Sequence, residues 1–196
     1  FGAKVIETHP ALGTDGAIEE ARRRFEAYPE RYYYPDQYNN PANWLAHFES
    51  TGPEIWAQTE GEITHFVAAV GTSGTFVGTV RRLKSRNRAI RAVEVQPASA
   101  FHGLEGMKHM PTALVPGIYD PDLADERVTV ETEDAQATTR DLARIEGILA
   151  GPSGGAAVLA ALRTARQFDR GVVVTVIPDG GSRYLGDPFW TEGRDK

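Results

Sequence analysis

The sequence contains no cysteine, which excludes disulfide bonds, thiolate metal ligands and cysteine nucleophiles. No apolar run approaches the ~20 residues that a membrane-spanning helix needs, so no membrane segment is expected. Basic residues are also in the minority, since 21 Lys and Arg face 27 Asp and Glu and leave a formal net charge of −6. A nucleic-acid partner would favour a basic face, so this balance argues against one. Zero cysteines are compatible with a cytoplasmic location.

Apolar residues make up 41% of the 196 positions, enough for the core of one domain or slightly more. Strand and helix patterns alternate from residue 63 onward. The predicted strands cover 63–70, 90–96, 127–131 and 171–177, and the predicted helices cover 75–85, 133–146 and 155–167. Such alternation predicts a mostly parallel sheet with helices on both faces.

The first part of the chain predicts a smaller set of elements. Short strands are expected at 4–8 and 32–34, with a helix at 17–27 between them, and residues 43–58 are expected to be helical with a break at 51–53. The connection 97–124 is longer than most loops without a function in a compact domain and is interpreted as a binding loop.

The most informative segment is the loop Gly71-Thr72-Ser73-Gly74-Thr75, which joins a predicted strand to a predicted helix. Its small residues let the backbone approach a ligand, and the first N–H groups of the next helix have no intrahelical partner. Because the helix dipole also favours an anion there, the loop can hold a phosphate. It matches neither common nucleotide-binding fingerprint, so on spacing alone a phosphate loop and a plain tight turn are equally good interpretations.

Two further glycine-rich loops follow predicted apolar segments, at 151–157 and 178–185. In an open α/β sheet, ligands bind at the carboxyl ends of the strands, where such loops meet helix N-termini. Three loops of this kind in one domain therefore predict a single binding site.

Read together, Val-Gly-Thr-Ser-Gly-Thr at 70–75, Gly-Pro-Ser-Gly-Gly-Ala-Ala at 151–157 and Pro-Asp-Gly-Gly-Ser-Arg-Tyr-Leu at 178–185 resemble the cysteine synthase family. These are the O-acetylserine sulfhydrylases among the fold-type II pyridoxal phosphate enzymes. Other family segments occur in order, at 37–43, 51–56, 106–111 and 115–119, and the last two look more like the B isozyme than the A isozyme.

The resemblance implies a three-layer, doubly wound, mostly parallel α/β sheet like that of the tryptophan synthase β chain. It implies that 1–42 are the end of a small N-terminal domain and that 43–196 form the large cofactor-binding domain. Family members are about half again as long, so this sequence is expected to be their C-terminal portion. The Schiff-base lysine of the family lies in the N-terminal part, and none of the lysines present has its context; these are Lys4, Lys84, Lys108 and Lys196. No catalytic residue is therefore expected within this sequence.

By resemblance the cofactor is pyridoxal 5'-phosphate. The phosphate-binding residues would be Gly71, Thr72, Ser73, Gly74 and Thr75. Ser153 matches the serine that meets the pyridine nitrogen; a serine here is also a good helix N-cap, and the two roles are compatible. Ser73, Pro152 and Gly154 depart from the residues usual in the family.

Four more residues are implicated by their motifs. Gln37 matches a glutamine near the substrate carboxylate, although a strand-end amide can equally satisfy local backbone. Lys108 would contact an anionic second substrate, or else be solvated surface. Asp179 and Tyr184 are expected to support Ser153 from behind it. No metal site is expected, because the histidines lack metal-ligand spacing.

The activity implied is β-replacement, which makes L-cysteine from O-acetylserine or a related activated serine and a sulfur donor. Cystathionine β-synthase and serine or threonine dehydratase are alternatives of the same fold. A non-catalytic cofactor-binding fragment is an alternative of a different class. The resemblance also implies a homodimer in the cytoplasm. Val5, Ile6, Tyr32, Tyr33 and Tyr34 are expected to lie on an unpaired edge.

Overall fold

The computed structural model describes residues 2–191, and within them one sheet of four parallel strands is flanked by helices. The strands are β1 His65–Ala69, β2 Arg91–Pro97, β3 Glu126–Val130 and β4 Val173–Thr175. The helices are α1 Gly13–Ala27, α2 Ala42–Glu49, α3 Thr51–Gln58, α4 Gly74–Arg86, α5 Thr132–Asp141 and α6 Pro152–Ala165. Short helical turns lie at Pro10–Leu12, Leu142–Glu146, Pro121–Leu123, Gly181–Tyr184 and Pro188–Trp190. Among these described helices, none has the length and apolar character needed to cross a membrane.

The sheet is buried on both faces, as its apolar strands require. Alternate residues of β1 enter two separate cores: Phe66 packs with Phe76 and Val80 of α4, whereas Val67 packs with Ala156 of α6. Phe66 and Val67 have no exposed surface. The predicted three-layer α/β arrangement is confirmed.

The strand order β3-β2-β1-β4 places β1 between β2 on one side and β4 on the other. His65 pairs with Arg91 of β2 and with Val173 of β4. The chain leaves β1 toward β2 and β3 and later returns to the opposite side of β1, so the winding direction reverses there. Ligands bind at such a switch point, outside the carboxyl ends of the strands. The doubly wound arrangement is also confirmed.

Two predicted strands are absent from the described residues. Residues 2–9 and 32–36 are irregular, because no strand lies beside either segment to accept its backbone hydrogen bonds. Val5, Ile6, Tyr32 and Tyr33 are nevertheless exposed, whereas Tyr34 is half-buried beside the Phe25 ring.

The predicted break at 51–53 also lies slightly elsewhere. Helix α2 ends before Ser50, and Pro53 occupies the third position of α3. Proline is tolerated there because N–H groups of the first helical turn have no intrahelical partner.

The helix predicted at 133–146 is divided into α5 and the wider turn Leu142–Glu146. Gly147 ends it with a φ of 69°, as expected of a left-handed C-terminal glycine. Thr132 is the first residue of α5, and its hydroxyl accepts a hydrogen bond from the Gly103 N–H.

The long connection between β2 and β3 runs across the carboxyl ends of the strands. The Lys108 N–H donates to the Val70 carbonyl at 2.9 Å, and the Met110 N–H donates to Oε1 of buried Gln96 at 3.1 Å. The same loop is tied to α1, because the Leu114 N–H donates to Asp15 Oδ2 at 2.6 Å and Lys108 pairs with Asp15 Oδ1. Asp15 therefore fixes the loop that borders the strand ends.

The contacts of Asp15 with Leu114 and Lys108 predict a pH dependence of stability. Burial raises the pKa of Asp15, but the hydrogen bond from Leu114 and the Lys108 ammonium outweigh it, so the pKa lies below the ordinary 3.8. A carboxyl group with a lowered folded-state pKa stabilises the protein above its unfolded pKa and loses that effect as the pH falls through its folded pKa. We expect the stability difference between the native protein and Asp15→Asn to shrink below about pH 4.

Urea unfolding at several pH values measures this difference. Asp169→Asn, at an exposed carboxylate, is the matched control and should leave the acid limb unchanged. A gap between native protein and Asp15→Asn that stays constant from pH 7 to pH 2 would contradict the explanation.

Candidate functional site

A cleft of about 710 Å³ opens at the switch point beside β1. The three glycine-rich loops meet there, joined by the start of the long loop after β2. The lining residues are Gln37, Ala69, Val70, Gly71, Thr72, Ser73, Gly74, Thr75, Glu105, Gly106, Met107, Ser153, Pro178, Asp179, Arg183 and Tyr184. The prediction that the three loops form one site is consistent with this placement.

The loop after β1 has the backbone of an anion cradle. α4 begins at Gly74 on the floor of the cleft, so its first-turn N–H groups lie at the loop. Gly71 must be glycine, because a Cβ there would lie 2.1 Å from the Gly106 carbonyl oxygen. The close contact between these two backbones shapes one wall of the cleft.

Ser73 adopts a φ of 70°, a left-handed conformation that favours glycine. Its hydroxyl oxygen is buried and has no hydrogen-bond partner within the described residues. A strained serine with an unsatisfied hydroxyl in a cleft fits a ligand that supplies the partner, because such groups are rarely left unpaired.

We expect Ser73→Gly to stabilise the ligand-free protein by about 1 kcal/mol, because glycine adopts positive φ without steric cost. It should also weaken binding of a phosphorylated ligand, because the hydroxyl is lost. Urea unfolding and ligand titration measure the two effects. Ser73→Ala separates them, since it loses the hydroxyl but keeps the strain; equal unfolding stability of Ser73→Ala and Ser73→Gly would disprove the strain argument.

Ser153 is buried at the second position of α6 and its side chain lines the cleft. The N-cap of α6 is Gly151 and Pro152 is the first helical residue, so the expected capping role of Ser153 is wrong. Proline is suited to that first position because its missing N–H would have no partner in the helix. The Ser153 hydroxyl is therefore available to a ligand rather than used as a cap.

Asp179 and Tyr184 lie together at the cleft wall. The Tyr184 hydroxyl donates to Asp179 Oδ2 at 2.7 Å, and burial together with this carboxylate raises the pKa of Tyr184 to about 12. Asp179 Oδ1 is buried without a partner in the described part of the chain. Both residues border the cleft directly, so they can contact a ligand as well as support Ser153.

Gln37 and Lys108 are placed differently. Gln37 is exposed at the cleft rim. Lys108 is only 6% exposed and does not belong to the lining, because its ammonium pairs with Asp15 and lies 5.2 Å from the centre of the Tyr38 ring. The alternative of a solvated surface lysine is excluded by this burial, while contact with a substrate stays a prediction.

None of the lysines in residues 2–191 lines the cleft. Lys4 is exposed and lies far in sequence from the three glycine-rich loops. Lys84 forms an ion pair with Asp125 at 2.7 Å. Lys196 lies outside the described residues.

Several residues of the site escaped the sequence analysis. Glu105, Met107 and Arg183 line the cleft, and Asn43 and His47 contact its threonine hydroxyls from behind. Arg183 and Asn43 lie within the family segments 178–185 and 37–43, but the partners of Asn43 and His47 become evident only in three dimensions.

The sequence profile of the family described as pyridoxal-phosphate dependent enzymes matches residues 1–179. The chain belongs to this family. It is 54% identical to the cysteine synthase of Aquifex aeolicus, over 98% of this chain and 60% of that protein, and 40% identical to cysteine synthase B of Salmonella typhimurium, over 98% and 62%. The resemblance to cysteine synthases is confirmed.

Solved structures of similar proteins have the same fold as this chain. O-Acetyl serine sulfhydrylase isoform 3 from Entamoeba histolytica superposes with a TM-score of 0.86 at 32% identity, covering 97% of this chain and 59% of that one. The O-acetylserine dependent cystathionine beta-synthase from Helicobacter pylori gives 0.87 at 35% identity, covering 96% and 63%. The fold-type II prediction is confirmed. The chain spans about 60% of the length of the curated relatives it matches.

Proposed function

We propose that the whole protein forms L-cysteine from O-acetylserine, or a related activated serine, and a sulfur donor by pyridoxal-phosphate dependent β-replacement. The observation that carries the proposal is the cleft at the end of β1, where a glycine-rich helix start, a buried hydroxyl without a partner and Ser153 converge. This arrangement occurs in a chain that is similar to cysteine synthases over nearly all its residues.

The residues present fit the cofactor. The Gly71–Thr75 loop would hold the phosphate through backbone N–H groups and hydroxyls, with Ser73 Oγ gaining the partner it otherwise lacks. Ser153 would face the pyridine nitrogen with a neutral hydroxyl. When bound, the cofactor supplies the electron sink that permits bond cleavage next to the α-carbon of an amino acid. Because a hydroxyl leaves the ring nitrogen largely unprotonated, the site suits replacement of a good leaving group.

The rim and wall residues would act on the substrates. Gln37 can donate its amide hydrogens to a substrate carboxylate at the cleft entrance. Asp179 and Tyr184, joined by a 2.7 Å hydrogen bond, would hold the wall against α6 and so keep Ser153 in place. Lys108, through its ion pair with Asp15, would order the loop that borders the strand ends, and it would contact an anionic second substrate.

We further propose that the Schiff-base lysine is supplied from outside these 196 residues, since no described lysine lines the cleft. Residues 1–42 would end a small domain and 43–196 would form the cofactor-binding domain.

The protein would be a cytoplasmic homodimer. Val5, Leu12 and Tyr33 support an interface in the N-terminal part of the chain, because large apolar side chains are exposed there. Light scattering measures the assembly state; a stable monomer would contradict the dimer.

Activity is tested by mixing the full-length protein with pyridoxal phosphate, O-acetylserine and sulfide and measuring cysteine. Homocysteine in place of sulfide tests cystathionine formation, an alternative favoured by the similarity to the Helicobacter pylori enzyme. Release of ammonia from serine or threonine tests a dehydratase. Cofactor binding with no turnover of any substrate would favour a non-catalytic cofactor-binding protein and overturn the proposal.

Ser153→Ala should reduce turnover about tenfold or more while leaving phosphate binding nearly intact, because it removes one hydrogen bond to the reacting ring and none to the phosphate loop. Turnover and cofactor affinity are measured on the same preparation. Ser182→Ala, at an exposed serine nearby, is the matched control. Unchanged turnover in Ser153→Ala would remove Ser153 from the proposed role.

A further inference from the structure

Two threonine hydroxyls of the cleft are contacted from behind by helix α2. Asn43 Nδ2 donates to Thr72 Oγ1 at 3.1 Å, and His47 Nε2 lies 3.1 Å from Thr75 Oγ1. Asn43 and His47 are one helical turn apart and therefore share a face of α2. One helix face thus contacts the two threonine hydroxyls of the Gly71–Thr75 loop.

Glycines in α4 make this approach feasible. A Cβ at Gly74 would lie 1.8 Å from Asn43 Oδ1, and a Cβ at Gly78 would lie 2.1 Å from the Trp44 carbonyl oxygen. Gly74 and Gly78 also lie one turn apart, so they form a groove along α4 into which α2 packs. The groove fixes the distance between the side chains of α2 and the loop.

The hydrogen bonds of Thr72 leave its hydrogen for the cleft. Thr72 Oγ1 accepts from Asn43 Nδ2 and, at 3.5 Å, from the Gly74 N–H. A hydroxyl has two acceptor lone pairs and one hydrogen, so both acceptor positions are in use. Asn43 Nδ2 also donates to the Gln37 carbonyl at 2.6 Å, which fixes the orientation of its amide group.

His47 can do the same for Thr75 in one tautomer only. Its Nδ1 lies 2.9 Å from Thr51 Oγ1, and burial lowers the pKa of the ring, which favours the neutral form with one hydrogen. If that hydrogen is on Nε2, the ring donates to Thr75 and accepts from the Thr51 hydroxyl. In the other tautomer Thr75 must donate its own hydrogen to Nε2, and none is left for a ligand.

We propose that Asn43 and His47 are positioning residues that direct the Thr72 and Thr75 hydroxyl hydrogens at the cofactor phosphate. The inference deepens the proposed function and rests on it. A phosphate dianion offers only acceptors, so a hydroxyl helps it only by donating. The chain Thr51–His47–Thr75 commits one hydroxyl to donation, and the Asn43–Thr72 contact commits the other. Together they make the cleft select the phosphorylated cofactor over its dephosphorylated form.

The tautomer is tested directly on the unmodified protein by nitrogen NMR of ¹⁵N-labelled histidine. We expect a protonated Nε2 and an unprotonated Nδ1 for His47 at neutral pH. A hydrogen on Nδ1 would overturn the His47 part of the inference. Thr51→Val, which removes the donor to Nδ1 without touching the cleft, should shift the ring toward the other tautomer.

Discrimination is tested by titrating the protein with pyridoxal phosphate and, separately, with pyridoxal. His47→Leu should weaken pyridoxal phosphate about tenfold and pyridoxal less than about twofold, because one donated hydrogen bond to the phosphate is misdirected. His47→Gln should restore most of the difference, since its amide can donate to Thr75. The control is His65→Leu, a half-buried histidine that contacts Thr64 at the opposite end of β1.

The outcomes separate the inference from the function on which it rests. An equal loss for both ligands in His47→Leu, or no loss, overturns the inference while the proposed function stands. Failure of the unmodified protein to bind pyridoxal phosphate overturns the proposed function and the inference together. A further contrary result is that His47→Leu keeps the full preference for pyridoxal phosphate over pyridoxal although the unmodified protein shows the expected tautomer. The tautomer would then have no influence on phosphate binding, which also overturns the inference.

Discussion

Gly71→Ala is expected to weaken binding of pyridoxal phosphate by roughly 5- to 150-fold, equivalent to about 1–3 kcal/mol of overpacking. The new Cβ would lie 2.1 Å from the Gly106 carbonyl oxygen, a backbone atom that cannot rotate away. The loop after β1 and the loop after β2 must therefore separate. Because their contact shapes one wall of the cleft, the N–H groups of the Gly71–Thr75 loop would be displaced.

Fluorescence titration with pyridoxal phosphate measures the loss. Gly186→Ala is the matched control, because a Cβ there meets nothing within 4 Å. If Gly71→Ala binds the cofactor as tightly as Gly186→Ala does, the close contact between the two loops is unimportant for the site.

Gly155→Ala is expected to lower the free energy of unfolding by about 1–3 kcal/mol. A Cβ at Gly155 would lie 2.1 Å from Thr139 Oγ1 and 2.4 Å from the Ala135 carbonyl oxygen, so α6 must move away from α5. Thr139 has no exposed surface and its hydroxyl already donates to the Ala135 carbonyl, so the side chain has no space into which to turn. Ser153 lies at the start of the same helix and would move with it.

Thermal unfolding should show the melting temperature falling by about 2–4 °C for each kcal/mol lost. Gly180→Ala is the control for this substitution, since the nearest atom to its Cβ is 3.8 Å away. A cofactor affinity that falls together with stability in Gly155→Ala would indicate that α6 is positioned by its contact with α5. Native stability of Gly155→Ala would contradict the packing account.

The sheet and its helices could be predicted because the local patterns and the long-range contacts agree. The apolar run ending at Val70 belongs to a central strand with both faces covered, and Gly147 ends its helix in the left-handed conformation that glycine favours. The predictions of strands at 4–8 and 32–34 were wrong for the opposite reason. Their β-forming residues, such as Val5 and Tyr33, have no neighbouring strand in the described chain, and the local sequence does not indicate whether a neighbouring strand is present.

The site was predictable where glycine, serine and threonine mark a loop at a strand end, as at Gly71 and Ser153. What could not be predicted depends on distances between elements far apart in sequence. His47 is 28 residues from Thr75, and the ion pair that buries Lys108 involves Asp15, 93 residues away. Neither partnership leaves a local pattern, since each depends on how α1 and α2 pack against the loops.

A crystal structure of the protein with pyridoxal phosphate would show directly where the cofactor binds. We expect phosphate oxygens about 3 Å from Ser73 Oγ and from N–H groups at the start of α4, with Ser153 Oγ facing the ring nitrogen. A phosphate bound away from the Gly71–Thr75 loop, with Ser73 Oγ still lacking a partner, would contradict this expectation.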